Sequence, residues 1–258
     1  MTVPSSATTA TLSDLAEDER YARFDQLQQG MAGVWDVMRL NQESESVVVI
    51  PSVTLRGGSM GQAYEERFLF LLLLLRQPRL RMIYVTSMPI QSAIVEYYLA
   101  LLPGVIPSHA RARLSLVSVD DSSPASLSEK LLERPRLLRK IAELIPDRSR
   151  SHLIPYNTTV LERDISLSLG IPMYGADPRL VEWGTKSGCR RLFAEEDVRH
   201  PLGTENLHTL ADVRDAVVWM RAQRPSITAV IVKLNEGVSG AGNALVVAMV
   251  SPWSSSRT

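Results

Sequence analysis

Short apolar runs that alternate with helix-forming stretches constrain this chain more than any other feature. Val47-Val48-Val49-Ile50 is continuous and β-branched, the pattern of a strand buried on both faces. Met82–Thr86 and Leu114–Val119 read as a second and a third strand, and His152–Pro155 as a short fourth. Helical stretches stand between them, at about 63–76, at 90–102 before Pro103-Gly104, and at 127–133 and 135–145. A further helix, 160–169, closes at Gly170, and Ile171–Tyr174 reads as another strand. Strand–helix alternation of this kind predicts a parallel α/β sheet with right-handed crossovers, here spanning 45–180.

The amino-terminal 44 residues form a separate region. Residues 1–12 are rich in Ser, Thr and Ala and are expected to be disordered. Ser13 stands where an N-cap would open a helix or helix pair running to Met38, and Asn41–Ser46 reads as a loop. No basic start followed by an apolar stretch is present, so a cytoplasmic protein is expected. The most apolar run, Phe68–Leu75, is too short to span a bilayer and reads as a core helix buried on most sides.

Charge narrows the partners. Lys and Arg number 28, as do Asp and Glu, so no global field favours nucleic acid or an acidic membrane. The basic residues Arg134, Arg136, Arg139 and Lys140 read as a solvated helix face. Cys189 is the sole cysteine, which excludes an internal disulfide. The four histidines lack the spacing of a helical metal site, so no metal ligands are assigned.

Past residue 180 the texture changes. A short helix at 177–183 ends at Gly184, and others follow at 187–196 and from Thr209 to Gln223. Apolar runs at 227–232 and 244–250 then flank Lys233-Leu234-Asn235-Glu236-Gly237-Val238-Ser239-Gly240-Ala241-Gly242-Asn243. Glycines let backbone N–H groups approach a phosphate, and a lysine at the strand end adds a point charge. Lys186 opens the helix after Thr185, where the positive end of the helix dipole disfavours it unless an anion is bound. Lys186 and Lys233 are therefore candidate phosphate ligands, together with Glu236, Gly237, Ser239, Gly240, Gly242 and Asn243.

At these residues the chain resembles the ATP-grasp family of carboxylate–amine (peptide) ligase type, in the stretches 185–203 and 230–243. The segments Tyr64-Glu65-Glu66-Arg67, Tyr84-Val85-Thr86-Ser87, Tyr97-Tyr98-Leu99, Lys130–Pro135 and Tyr156–Thr159 resemble the pre-ATP-grasp domain of that group. The resemblance implies a Rossmann-like pre-ATP-grasp domain at 45–180. An α+β first half of an ATP-grasp domain would follow at 181–250, with a tail at 251–258. It implies ATP as cofactor, held by the two lysines and the glycine-rich loop. The reaction implied is phosphorylation of a carboxylate and attack of an amine on the acyl phosphate. Magnesium is expected in the complete family, but its ligands come from a second half that this sequence lacks, so the chain is expected to be inactive alone. Catalytic residues are not assigned. Asp197 stands where the family carries glycine after Glu195-Glu196, a site for a positive φ.

Other motifs carry blander readings. Arg56–Gly61 follows a strand, but its glycine spacing departs from the dinucleotide fingerprint and no acid ends strand two. Asp120-Asp121 reads as a loop start, and Tyr97-Tyr98 as helix packing. A second reading of the whole is a non-catalytic, Rossmann-like module that binds a ligand or partner. Three structural expectations follow from the first reading. The two lysines converge through packing of Leu192, Phe193 and Val198 on the strand at 227–233. The loop 235–243 is mobile. The sheet face at 227–250 is open and apolar, allowing self-association.

Overall fold

The computed structural model describes residues 12–34, 44–53, 61–236 and 242–247. The chain divides into two compact units, Met1–Pro178 and Arg179–Thr258.

The first unit is a mixed α/β fold around four parallel strands. They are β1 (Glu45–Ile50), β2 (Leu80–Thr86), β3 (Leu114–Ser118) and β4 (Ser151–Pro155), in the order β3-β2-β1-β4. Val48 stands opposite Ile83 on one side and Leu153 on the other. Every residue of β1 is buried, as its unbroken apolar pattern predicts for a central strand. That strand begins at Glu45, so the expected loop at Asn41–Ser46 gives way to sheet at its last two residues. Ser46 is tolerated there because its Oγ meets that of Ser151 across β1 and β4, at 2.6 Å.

The connections fall on two faces. Helix α2 (Gly61–Arg67), a 3-10 helix at Phe68–Arg76, α3 (Ser92–Ala100) and α4 (Pro107–Arg111) join β1 to β2 and β2 to β3. They supply Leu69, Leu72, Leu75, Val95, Leu99 and Ala110 to a core with Val47, Val49 and Tyr84. Helices α5 (Leu127–Leu132), α6 (Pro135–Glu143) and α7 (Val160–Leu169) lie between β3 and β4 or after β4. Their Leu131, Ile141 and Ile165 pack with Val48, Ile50 and Leu153. The chain therefore turns back between β1 and β4, and the carboxyl ends of these strands flank the usual ligand crevice of an open α/β sheet.

The run at 68–75 departs from the expected helix buried on most sides. It is 3-10, and only Leu69, Leu72 and Leu75 are buried, while Phe70 remains 55% exposed. Side chains three apart eclipse in a 3-10 helix, so one leucine row faces the sheet. Arg113 closes its end, donating to the carbonyls of Leu75, Gln77 and Leu80 at 2.6–2.8 Å.

The amino-terminal helix α1 (Glu17–Gln28) starts later than the sequence suggests. Ser13 lies in a 3-10 turn, Leu12–Asp14, and the N-cap is Ala16, whose N–H donates to the Glu19 carboxylate at 3.1 Å. Phe24 is its buried apolar contact, and charge does the rest. The fully buried Arg163 donates to Glu17 at 2.6 Å and to Asp164 at 2.7 Å, under the Tyr21 ring. Arg20 meets Asp164 at 2.9 Å. The strand expected at Ile171–Tyr174 reduces to a single parallel bridge, Leu153 with Met173. The Gln28 amide takes the outer edge, donating to the Met173 carbonyl and accepting from its N–H.

In the second unit the 3-10 turn Pro178–Gly184 leads to α8 (Lys186–Glu195) and α9 (Leu210–Gln223). Strands β5 (Ala229–Lys233) and β6 (Asn243–Val247) form an antiparallel hairpin. Thr209 caps α9 reciprocally with Asp212, whose carboxyl is held low by the N–H groups of His208 and Thr209. Asp197 has φ +53, a left-handed conformation just past α8. The hairpin is apolar and open. Ile231 and Leu245 face each other across it at 59% and 67% exposure.

Candidate functional site

The start of α8 is built by sequence-local capping and one long-range contact. Thr185 is the N-cap, its Oγ1 accepting from Gly188 N–H at 3.0 Å and donating to the Glu182 carbonyl at 2.7 Å. Asn235 completes the terminus from the turn after β5. Its carbonyl accepts from Lys186 N–H at 3.1 Å, and its Oδ1 from Ser187 N–H at 3.0 Å. The first helical amides are thus satisfied within the protein. Asn235 therefore accepts from helix amides that a ligand could otherwise take, while the charge of Lys186 at the positive end of the helix remains.

Asn235 brings the main chain at Lys186 against the turn two residues beyond Lys233. Lys233 ends β5, pairs with Asn243 and is exposed, whereas Lys186 is half-buried. Glu236, Gly242 and Asn243 are exposed beside them in the hairpin. Gly242 has φ +72, and Leu234 N–H donates to its carbonyl at 3.4 Å. Gly237, Ser239 and Gly240, and with them most of the loop expected to be mobile, lie outside the described residues. The apolar residues expected to bury α8 on β5 do not do so fully. Leu192, Phe193 and Val198 are each more than a third exposed, and the Asn235 hydrogen bonds make the connection instead.

A second cluster sits at the carboxyl edge of the parallel sheet. Glu65 of α2 is buried and accepts from Ser87 N–H at 2.6 Å and Ser87 Oγ at 2.7 Å. Burial pushes its carboxyl pKa up, against the lowering effect of the Ser87 hydrogen bonds and of Lys130. The buried Lys130 ammonium donates to Ser87 Oγ at 3.2 Å and to the Asp121 carbonyl at 2.9 Å. Arg134 donates to Asp121 Oδ2 at 2.6 Å, so it is no free member of a solvated basic face. Hydrogen bonds from Ser123, then from Arg134, hold the Asp121 carboxyl down at about 2. Ser87 Oγ is sealed between an acid and a base, and its burial leaves it no path to a substrate. Its role is to fix the strand ends.

Beside this network the edge is aromatic. Tyr156, just past β4, lies 5.2 Å from the Phe68 ring and 6.1 Å from Tyr64. Behind it, fully buried Glu162 accepts from Ser128 Oγ at 2.5 Å and from Thr159 N–H and Oγ1. Segments far apart in sequence, 64–67, 84–87, 130–135 and 156–159, therefore meet at one sheet edge. Sequence reasoning missed Asn235 and Glu162 as organisers. A capping box at Thr159-x-x-Glu162 was the available signal for the second.

Among the described residues no group of three or more His, Cys, Asp or Glu could hold a metal ion. Among them also, no helix is long and apolar enough to cross a membrane.

Comparison with known proteins gives distant relatives. No family model matches the chain. It is 25% identical over 188 residues to IQ motif-containing protein H of Danio rerio, covering 67% of this chain and 18% of that protein. It is 24% identical over 190 residues to L-propargylglycine–L-glutamate ligase of Streptantibioticus cattleyicolor, covering 70% of this chain and 39% of the ligase. The chain thus spans well under half the length of either relative, and one of them is a ligase.

Proposed function

We propose that this chain is a pre-ATP-grasp domain followed by the first half of an ATP-grasp domain, and that it binds ATP. Lys186 and Lys233 hold the phosphates, and the loop from Glu236 to Asn243 covers them. The observation that carries this reading is the pair of hydrogen bonds from the start of α8 to Asn235. They set the Lys186 main chain beside the turn that follows Lys233. The distant likeness to an L-propargylglycine–L-glutamate ligase supports the same reading. By that likeness, the protein that uses this segment activates a carboxylate on ATP and passes it to an amine. The two ammonium groups supply fixed positive charge to phosphate oxygens, the part of phosphoryl transfer that depends on positioning and electrostatics.

The described residues do not fit magnesium. Among them Glu236 is the one carboxylate in the hairpin turn, where a cation needs several oxygen ligands. No chemical step is assigned to the metal. Isothermal titration of the full chain with ATP, with and without magnesium, tests the proposal. Submillimolar binding that Lys233→Ala and Lys186→Ala each weaken tenfold or more is expected. Undetectable binding, or binding that both variants retain, overturns it in favour of a module whose ligand sits elsewhere.

A further inference from the structure

Within the first unit two arginines line a cleft of about 380 Å³. One wall is α1, where Arg23, Gln26 and Leu27 recur at helical spacing and share a face. The other wall is the 3-10 turn Arg148–Arg150 with Gly170, the left-handed cap of α7. Arg148 and Ser149 immediately precede β4, and Gly170 ends the helix that follows it. The cleft therefore lies at the amino edge of the sheet, opposite Ser87, Asp121 and Tyr156.

Its charge is unbalanced. Arg23 and Arg148 form no ion pair among the described residues, and no lining residue among them is acidic. Several acids of the adjoining segments have other partners. Asp164 is held by Arg20 and Arg163, Glu17 by Arg163, and Asp147 by Ser149 and Arg150. Arg148 is positioned as well as charged. Its Cδ lies 3.4 Å from where a Cβ on Gly170 would stand, so the arginine stem lies along the cap of α7. The wall that carries Arg23 is fixed by Gln28 on Met173 and by the Arg163 and Arg20 ion pairs.

We propose that this cleft binds a small molecule through an oxyanion, a phosphate or a carboxylate, gripped between the guanidinium groups of Arg23 and Arg148. Guanidinium forks match both groups in geometry, and the volume lies in the range of small-molecule sites. Binding there joins α1 to the turn before β4 and so stabilises the first unit.

The test uses the full chain carrying Lys186→Ala and Lys233→Ala, which removes the proposed ATP ligands from the readout. Inorganic phosphate and citrate are titrated against sodium chloride at equal ionic strength. A rise in melting temperature of about 2–4 °C at ten times the dissociation constant is expected for at least one of them. Arg23→Gln and Arg148→Gln should each weaken that binding tenfold or more in calorimetry. Arg23 is exposed on α1, so its variant stays informative if Arg148→Gln folds poorly. A response to phosphate alone supports a phosphorylated ligand, and a response to citrate alone a carboxylate. Equal effects of all three salts, or a response that Arg23→Gln leaves intact, overturn the proposal. ATP binding by the unmutated lysines is read separately, so either inference can fail without the other.

Discussion

Gly188 lies against the carbonyl of Glu182 so closely that a Cβ at position 188 would overlap the carbonyl carbon and oxygen. The neighbour is main chain within a hydrogen-bonded turn, so neither side can yield cheaply. Thr185 bonds to both partners, accepting from Gly188 and donating to Glu182. Glycine at 188 is thus required by the approach of two backbones at the start of α8.

Gly188→Ala is therefore expected to cost about 2–4 kcal/mol and to release the Lys186–Asn235 contact. Gly184→Ala is the control, since a Cβ there meets nothing within 4 Å. It should change stability by no more than about 0.5 kcal/mol. Urea denaturation of both variants checks this, and equal losses would contradict it.

Glu65→Ala should destabilise the first unit by about 2–4 kcal/mol, because it strands the Ser87 N–H and hydroxyl and removes a buried acid that interacts with Lys130. Glu65→Gln keeps an acceptor and should cost clearly less. A double-mutant cycle with Ser87→Ala should show coupling, since the two side chains touch. Additive effects would argue against the network.

His152 is buried in β4, and its Nδ1 has no hydrogen-bond partner among the described residues. Burial pushes its pKa down from 6.5 to about 4. Above pH 6.5 the imidazole is neutral whether the chain is folded or unfolded. Below it the unfolded chain takes up a proton that the folded chain refuses, so stability falls as the pH drops from 6.5 toward 4. The full loss is on the order of 3 kcal/mol. Buried Glu45 and Glu65, whose pKa values are raised by burial, work in the opposite direction over their own range. Comparing the chain with His152→Leu at pH 7 and pH 5 isolates the histidine. The difference between the two should shift toward the variant at pH 5, and an unchanged difference would contradict this.

Gly242 combines φ +72 with close approach to the Leu234 side chain. Gly242→Ala should weaken the hairpin by about 1–2 kcal/mol, part of it recoverable as Leu234 swings aside. Hydrogen exchange at β5 and β6 amides should quicken while β1 amides are unaffected. Unchanged exchange in β5 would show that the turn does not hold the strands.

Much of the first unit was legible because its strands are β-branched runs with punctuated helices between them, as at Val47–Ile50 and Gly170. The family resemblance pointed to a positive-φ site at Asp197, where φ is +53. Misreadings came where side chains replace backbone. Gln28 occupies the edge that made Ile171–Tyr174 look like a strand. The leucine run at 68–75 hid its period of three, because residues on both sides of the row are apolar too. At the site, the lysines and glycines announced themselves by type and spacing. Asn235 did not, because its function is to cap a helix that begins 49 residues earlier. No local pattern encodes a partner at that separation.

The 3-10 winding of Phe68–Arg76 has a consequence for length. Nine residues rise about 18 Å in a 3-10 helix but about 13.5 Å in an α-helix. Relaxing the segment to α geometry would shorten the crossover by about 4.5 Å, more than the rise of one strand residue. That shortening would have to be taken up by the flanking loops or by the pairing of Leu80 with Glu45. An insertion of about three residues after Leu75 would let the segment take α geometry over the same span, since about twelve α-helical residues rise about 18 Å, whereas a deletion there would have to be absorbed by the flanking loops or the sheet.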